Sequence, residues 1–187
     1  MSTVPRERIT VEAYLALERS SPDRHEYIDG ELFAMGGASH EHNRIVSNLI
    51  FELRGVLGEG PCYPLSNDMR VRAGQARCVY PDVVVVCGQP ELEDSDILIN
   101  PSLIIEVLSQ TTEAYDRGAK FAFYRELASL KEYLLVSQRE QRIEQFVRQP
   151  DGRWLLSEAI AGDLPLPTVN AALSIAGAYH GIDFERA

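Results

Sequence analysis

Apolar positions in the first third of the chain recur in patterns that predict two helices and a hairpin. Residues 11–19 and 45–57 carry apolar side chains at helical spacing, and Thr10 and Ser39 stand before them as candidate caps. Asp29-Gly30 lies between two β-prone runs and is typical of a tight hairpin turn, because both turn residues need a positive φ. We therefore predict a short helix, a hairpin and a long helix, in that order.

The middle of the chain carries continuous apolar runs, which are typical of strands buried on both faces. Such runs cover residues 79–87 and 103–108. Residues 68–72 alternate instead, and this pattern predicts a half-buried strand with its two arginines on the polar face. The polar stretch 89–101 is predicted to be a loop between the two buried strands.

The second half of the chain predicts a helix over residues 113–128 and a strand over residues 132–136. A last hairpin joins residues 142–148 to residues 154–160, and residues 169–179 are predicted to form a short helix. Together the elements predict an α/β fold of the α+β kind, with a central mixed β-sheet flanked by helices.

Composition fits a globular protein. The 187 residues are 45% apolar and 25% charged, so we predict a single domain over residues 1–187. No apolar run reaches the ~20 residues of a membrane helix, and the N-terminus lacks the apolar segment of a secretion signal. Cys62, Cys78 and Cys87 form no CxxC pair and are expected to be reduced thiols. These features predict a cytoplasmic protein without a cysteine-ligated zinc.

The net charge of the chain is −10, from 18 Lys and Arg against 28 Asp and Glu. This charge counts against a general nucleic-acid binder, which should carry a basic face. It does not argue against an enzyme that gathers carboxylates around a metal ion.

One carboxylate stands inside each of the two buried strands: Asp82 in VYPDVVVVC and Glu106 in LIIEVL. A buried carboxylate is costly unless a cation or hydrogen bonds compensate it. Either one alone could pair with an arginine, and Asp82 could cap a strand, but two in neighbouring strands favour a shared cation. Oxygen ligands without cysteine suit Mg²⁺ or Mn²⁺.

Lys120 occupies the centre of the apolar stripe on the predicted helix 113–128, with Asp116 on the same stripe. Helical side chains lean toward the N-terminus, so Lys120 should reach back toward the strand that carries Glu106. The alternative is an ordinary Asp116–Lys120 helix pair, worth a few tenths of a kcal/mol. That alternative does not explain why the pair faces the core.

Two further residues are candidates for supporting roles. His42 lies within the apolar stripe of the long helix, in its first turn, although a core-facing histidine is more often a packing residue than a ligand. Glu31 follows the hairpin turn and is a candidate for the rim of the site.

Pro81-Asp82, Glu106 and Lys120 together resemble the PD-(D/E)XK nuclease superfamily. Over about residues 10–180 the chain resembles the Uma-two family of restriction-endonuclease-like proteins, above all in EVLSQTTEAYDRGAKFAFYR. Two positions depart from pattern. The motif's lysine position, two residues after the acid, is Leu108, so Lys120 would supply the amine from the next helix. The family's usual proline after EVLS is Gln110.

The resemblance implies a restriction-endonuclease-like fold and a nuclease that hydrolyses phosphodiester bonds of nucleic acid, DNA above all. Asp82 and Glu106 would hold Mg²⁺ or Mn²⁺, Lys120 would complete the catalytic set, and Asp116 and His42 would support it. The alternative is an inactive nuclease fold that serves as a binding or regulatory module. A nuclease should also place arginines around the mouth of the site; the candidates are Arg70, Arg72, Arg77 and Arg117.

Two further predictions concern assembly and chemistry. Analogy with nucleases that pair two sites, together with an apolar sheet edge at residues 69–71, predicts a homodimer. A serine hydrolase using Ser39 or Ser109 with His42 has little support, because the chain has no G-x-S-x-G elbow.

Overall fold

The computed structural model describes residues 8–184; residues 1–7, which begin the stretch taken above to lack a secretion signal, and residues 185–187 lie outside the described part. The helical elements are α1 (Val11–Ser20), α2 (His40–Leu57), α3 (Glu113–Tyr115), a π-helical turn (Asp116–Lys120), α4 (Phe121–Arg125) and α5 (Ile175–Ala178). The strands are β1 (His25–Ile28), β2 (Glu31–Ala34), β3 (Cys62–Ser66), β4 (Arg70–Arg72), β5 (Arg77–Val79), β6 (Val83–Cys87), β7 (Leu92–Glu93), β8 (Ile97–Leu98), β9 (Leu103–Leu108), β10 (Glu132–Ser137), β11 (Ile143–Arg148), β12 (Trp154–Ala159), β13 (Asp163–Leu166) and β14 (Ala171–Ser174).

The strands form two six-stranded mixed sheets and a separate hairpin. The first sheet has the order β2-β1-β5-β4-β8-β7, the second has the order β12-β11-β10-β9-β6-β3, and β13 pairs with β14. β4 and β8 run parallel, as do β9 and β10, whereas the other pairs in the two sheets are antiparallel. The predicted mixed α+β class is confirmed, with two large sheets in place of one central sheet.

The predicted start of the chain is confirmed. Thr10 and Ser39 cap α1 and α2, accepting hydrogen bonds from the backbone N–H groups of Ala13 and His42. In the β1–β2 turn Asp29 has φ 51° and Gly30 has φ 98°, as the Asp-Gly pair predicts.

Residues 79–87 do not form the single strand that their apolar run predicts. The chain leaves β5, in the first sheet, at Val79 and enters β6, in the second sheet, at Val83. Pro81 has no backbone N–H to give to a sheet, so the interruption falls around it. The break sets Asp82 directly before β6, between the two sheets.

The strand predicted over residues 68–72 is shorter and more buried than expected. β4 lies between β5 and β8, and Arg70 and Arg72 are both buried. The alternation of residues 68–72 predicted a polar face, because it gives no information on partners elsewhere in the chain. Those partners allow the two guanidinium groups to be buried. Residues 69–71 therefore do not offer the sheet edge on which the homodimer prediction partly rested.

Three short segments differ from prediction because they are too short for periodicity to reveal. The predicted loop 89–101 contains β7 and β8, and Ile97 and Leu98 in β8 are fully buried. β3 had no prediction, although it pairs with β6 along its length. Residues 169–179 form strand β14 and the single turn α5 in place of one helix.

The predicted reduced state of all three cysteines is wrong in this structure. Cys62 and Cys87 are directly opposite each other in the β3–β6 ladder and are joined by a disulfide. Cys78 is free and buried. The missed strand β3 concealed this pairing, since the two cysteines are 25 residues apart in sequence.

Apolar side chains of the two sheets and the helices form the core. α2 and the β13–β14 hairpin cover one face of the second sheet, with Ile45, Leu49 and Leu53 fully buried. The α3–α4 segment covers the opposite face, where Phe121 and Tyr124 pack with residues of both sheets. None of the described helices is long and apolar enough to cross a bilayer.

Candidate functional site

Asp82 lies where the chain passes between the sheets and makes three contacts around this point. Its Oδ2 accepts a hydrogen bond from the backbone N–H of Val107 at 2.7 Å and lies 3.2 Å from His42 Nε2. Its own backbone N–H donates to Glu106 Oε2 at 3.3 Å. The Asp82 side chain is 16% exposed, so this carboxylate is still open to solvent.

Glu106 lies in β9 and its carboxylate is almost fully buried. Oε1 accepts a hydrogen bond from the Tyr124 hydroxyl at 2.7 Å and lies 2.9 Å from Lys120 Nζ. Burial raises the pKa of Glu106 well above its usual value, although the charge of Lys120 opposes this shift. The Asp116 and Asp82 charges add to the rise.

Lys120 extends from the π-helical turn into a ring of carboxylates. Its Nζ lies 2.9 Å from Glu106, 3.1 Å from Glu26 and 3.8 Å from Asp116, and it donates to the backbone carbonyl of Tyr80 at 3.3 Å. Burial opposes the charge, but the neighbouring carboxylates outweigh it and hold the pKa of Lys120 well above its usual value. Lys120 is therefore an ammonium ion inside the protein, with a side chain that is only 7% exposed.

Glu26 in β1 is a site residue that the sequence reasoning missed. Its Oε1 lies 3.1 Å from Lys120 Nζ and accepts the backbone N–H of Tyr80 at 3.2 Å. Its Oε2 accepts the hydroxyl of Tyr115 at 3.0 Å. A signal existed in the sequence, since a core-facing lysine needs several acidic partners and Glu26 stands in a β-prone run. The hairpin prediction assigned no role to Glu26.

Asp116 belongs to the same π-helical turn as Lys120, and both side chains are buried. The helical wheel assumed a uniform α-helix, whereas the segment is α-helical, then π-helical, then α-helical and ends at Arg125. Burial raises the pKa of Asp116, and the charge of Lys120 opposes this shift. Single π-helical turns are frequent at functional sites because they re-aim side chains within a helix.

His42 reaches the site from the first turn of α2. Its Nε2 contacts Asp82, whereas Nδ1 is buried without a hydrogen-bond partner among the described residues. The helix thus brings a polar ring into contact with Asp82, whereas Lys120 contacts the carboxylates of Glu106, Glu26 and Asp116.

Glu31 is not among the three carboxylates within ion-pair distance of Lys120. It begins β2, opposite Ile28 of β1, and shares a face of β2 with Phe33. Its place at the rim of the site stays a prediction.

The four arginines considered as phosphate ligands all bind carboxylates. Arg72 pairs with Glu93 at 2.5 Å, and Arg117 forms a bidentate pair with Glu144 at 2.6 and 2.9 Å. The other two pairs are Arg70 with Asp96 and Arg77 with Asp29 and Glu126. These groups are therefore not free cations around the mouth of the site.

A family model described as "Putative restriction endonuclease", Uma2, matches residues 11–176. The chain belongs to the Uma2 family. The matched span contains Glu26, Asp82, Glu106 and Lys120, so the cluster described above lies within the family's own region.

The chain is also similar to two proteins of a cyanobacterium and to one solved structure. The uncharacterized protein slr1290 of Synechocystis sp. is 33% identical over 184 residues, covering 97% of each chain. The uncharacterized protein sll1609 of the same organism is 37% identical over 153 residues, covering 80% of this chain and 86% of its own. The crystal structure of a "putative nuclease belonging to DUF820" from Anabaena variabilis matches with a TM-score of 0.74 at 20% identity, covering 91% of this chain and 97% of that one. The last match shows the fold alone.

The donors of this Uma2 site fit a small hard cation with few protein ligands. No group of three or more His, Cys, Asp or Glu side chains in residues 8–184 is arranged to hold a metal ion. Magnesium keeps several waters and is usually bound by one or two carboxylates, so Asp82 and Glu106 suffice in number. Three carboxylates around a single ammonium, with Asp82 beside Glu106, also leave negative charge that a cation would offset.

Proposed function

We propose that this Uma2 protein is a metal-dependent nuclease that hydrolyses phosphodiester bonds of DNA, with Asp82, Glu106 and Lys120 as its catalytic residues. The observation that carries the proposal is the buried ammonium of Lys120, 2.9 Å from Glu106, which in turn accepts the backbone N–H of Asp82. Such a cluster lowers stability, because buried charges carry a large desolvation penalty, and clusters of this kind are concentrated at functional sites.

Asp82 and Glu106 would hold Mg²⁺ or Mn²⁺, with the main-chain carbonyl beside Glu106 as a further oxygen donor. A cation bound there supplies an acidified water and neutralises charge on the phosphate. Lys120 would orient that water or stabilise the charge of the pentavalent phosphate. Asp116 and Glu26 would hold the ammonium in place, and His42 would orient Asp82 through the contact of its Nε2.

An inactive binding or regulatory module is the second candidate, and two observations favour it. The arginines that should contact phosphates are paired with carboxylates, and the Lys120 ammonium is surrounded by three of them. By contrast, nothing favours the serine hydrolase: the Ser39 hydroxyl donates to Gln138, and the Ser109 hydroxyl bonds Thr111 and Thr112.

The decisive experiment is cleavage of mixed DNA and RNA substrates with Mg²⁺, with Mn²⁺ and with EDTA. We expect DNA cleavage that EDTA abolishes and that Lys120→Ala lowers by at least about 100-fold, the scale of one lost electrostatic contact to a transition state. The comparison with the wild type requires a folded Lys120→Ala, which circular dichroism verifies. Cleavage at the wild-type rate by a folded Lys120→Ala would remove Lys120 from the mechanism.

The homodimer and the cytoplasmic location stay predictions. The first rests on analogy alone now that residues 69–71 lie inside a sheet. A constant monomer mass in light scattering over a wide concentration range would contradict it. The prediction of a cytoplasmic location rested partly on reduced cysteines. The Cys62–Cys87 disulfide removes that support, because disulfides persist mainly in oxidising compartments.

A further inference from the structure

An apolar surface lies beside the site on the edge strand β2. Phe33 is 45% exposed and Met35, directly after the strand, is 37% exposed. Alternate residues of a strand share a face, so these two side chains stand next to each other. Gly36 and Gly37 follow, and a Cβ added to either would meet nothing within 4 Å, so the space beyond Met35 is open.

This surface is continuous with the charged cluster. Phe33 is directly opposite Glu26 in the β1–β2 ladder, so both side chains lie on the same face of the sheet. Directly opposed side chains in an antiparallel pair have Cβ atoms about 5 Å apart. Glu26 in turn contacts Lys120 at 3.1 Å. An exposed aromatic ring therefore stands one residue away from the ammonium ion assigned to catalysis.

The charge of the protein limits how a nucleic acid can be held here. The chain carries a net charge of −10, and the four candidate arginines are engaged by carboxylates. Attraction for phosphates is thus weak, and another source of affinity is needed. Stacking of bases on aromatic side chains supplies such affinity without regard to charge, but it requires an unpaired base, because a duplex hides its base faces.

We propose that Phe33, flanked by Met35, stacks on an unpaired base beside the scissile phosphate, so that the substrate is single-stranded DNA. This inference rests on the proposed nuclease function and gives it a substrate class. Phe33 is then a specificity-determining residue, separate from the residues that carry the chemistry.

The test is a double-mutant cycle between Phe33 and a base. Binding of a short fluorescent oligothymidine is compared with binding of the same strand carrying abasic positions, for wild type and for Phe33→Ala. We expect Phe33→Ala to weaken binding of the intact strand ~10-fold, equivalent to about 1.4 kcal/mol. The abasic strand should bind both proteins equally, since either change alone removes the stack. Phe33→Trp should retain affinity, and its fluorescence should be quenched by the intact strand.

Phe51→Ala is the matched control, because Phe51 is 76% exposed on α2 and outside the site. It should bind both strands as the wild type does. Additive effects of Phe33→Ala and abasic positions would overturn the inference, as would equal cleavage of blunt duplex and single strand. If the wild type cleaves no DNA, the proposed function fails, whereas the binding cycle still decides whether Phe33 stacks on bases.

Discussion

At the residue scale, the site is a balance of four carboxylates against one ammonium. Asp82, Glu106, Asp116 and Glu26 surround or face Lys120, and burial raises the pKa of both Glu106 and Asp116. A carboxylate that serves as a metal ligand destabilises the metal-free protein, whereas a carboxylate that pairs with a protein cation stabilises it. Removing one carboxylate therefore distinguishes the two roles.

Asp82→Asn tests this balance. Asparagine can still accept the Val107 N–H, so the substitution removes a charge with little change in shape. We expect the metal-free protein to become more stable by about 1–2 kcal/mol, because the repulsion between the Asp82 and Glu106 charges is lost. Magnesium at ten times its Kd should stabilise the wild type by about 1.4 kcal/mol and stabilise Asp82→Asn far less. Thermal melts with magnesium and with EDTA measure both effects.

Asp68→Asn is the control for this experiment, since the Asp68 side chain is 72% exposed. It should change neither the stability nor the magnesium effect. If Asp82→Asn were instead less stable with and without magnesium, Asp82 would be a structural partner of His42, and the binding-module interpretation would be preferred.

At the element scale, the helical segment after β9 combines α-helical and π-helical turns, which a helical wheel with one constant angle per residue cannot represent. A wheel of 100° per residue places Lys120 on the buried stripe, and the structure also buries it, but the π-helical turn and the end at Arg125 depend on how the segment packs against both sheets. The strands containing Glu106 and Tyr133 were predictable because their apolar runs are long. β7 and β8 have two residues each, and the partners that hold Glu26 inward, among them Lys120 and Tyr115, are distant in sequence.

Gly118 and Gly58 form a matched pair for testing backbone conformation. A Cβ at either position would meet nothing within 4 Å. Gly118 lies inside the π-helical turn, whereas Gly58 ends α2 with φ 53° and ψ −135°. We expect Gly118→Ala to raise the free energy of unfolding by about 0.5–1 kcal/mol and Gly58→Ala to lower it by about 1–3 kcal/mol. Denaturant titration measures both, and equal effects would contradict the assigned backbone at Gly118.

Glu132 in β10 attaches the C-terminal hairpin to the second sheet. It is fully buried, accepts hydrogen bonds from Gln145 at 2.6 Å and from Thr168 at 3.2 Å, and has a pKa raised by burial. A raised pKa means that the folded state binds the proton more tightly than the unfolded state. Stability from this group is therefore complete below the usual glutamate pKa and is lost as pH rises through the folded-state pKa.

Glu132→Gln should remove that pH dependence. We expect the wild type to lose free energy of unfolding as pH rises above about 4.3, the ordinary glutamate pKa, and the variant to lose less. Glu59→Gln, at an exposed residue, should behave as the wild type does. Denaturant titrations across this pH range make the comparison, and identical slopes for all three proteins would show that Glu132 is not the group responsible.

At the scale of the whole molecule, the acidic charge and the paired arginines predict that the affinity for nucleic acid depends only weakly on salt concentration. Each phosphate neutralised on a single strand contributes about −0.7 to the slope of log K against log salt. Since the four candidate arginines are engaged by carboxylates, we expect a slope shallower than about −2. Fluorescence anisotropy of labelled oligonucleotide over a range of KCl concentrations gives this slope. A slope of about −5 or steeper would require many lysine and arginine contacts to phosphate.

The passage of the chain from one sheet to the other at Tyr80, Pro81 and Asp82 has a consequence for heat inactivation. The backbone of Tyr80 contacts Glu26 and Lys120, and that of Asp82 contacts Glu106. The segment that connects the two sheets therefore also forms part of the site. Separation of the sheets would therefore dismantle the site in the same event. We therefore expect activity and folded structure to be lost in the same thermal transition, without a folded but inactive intermediate.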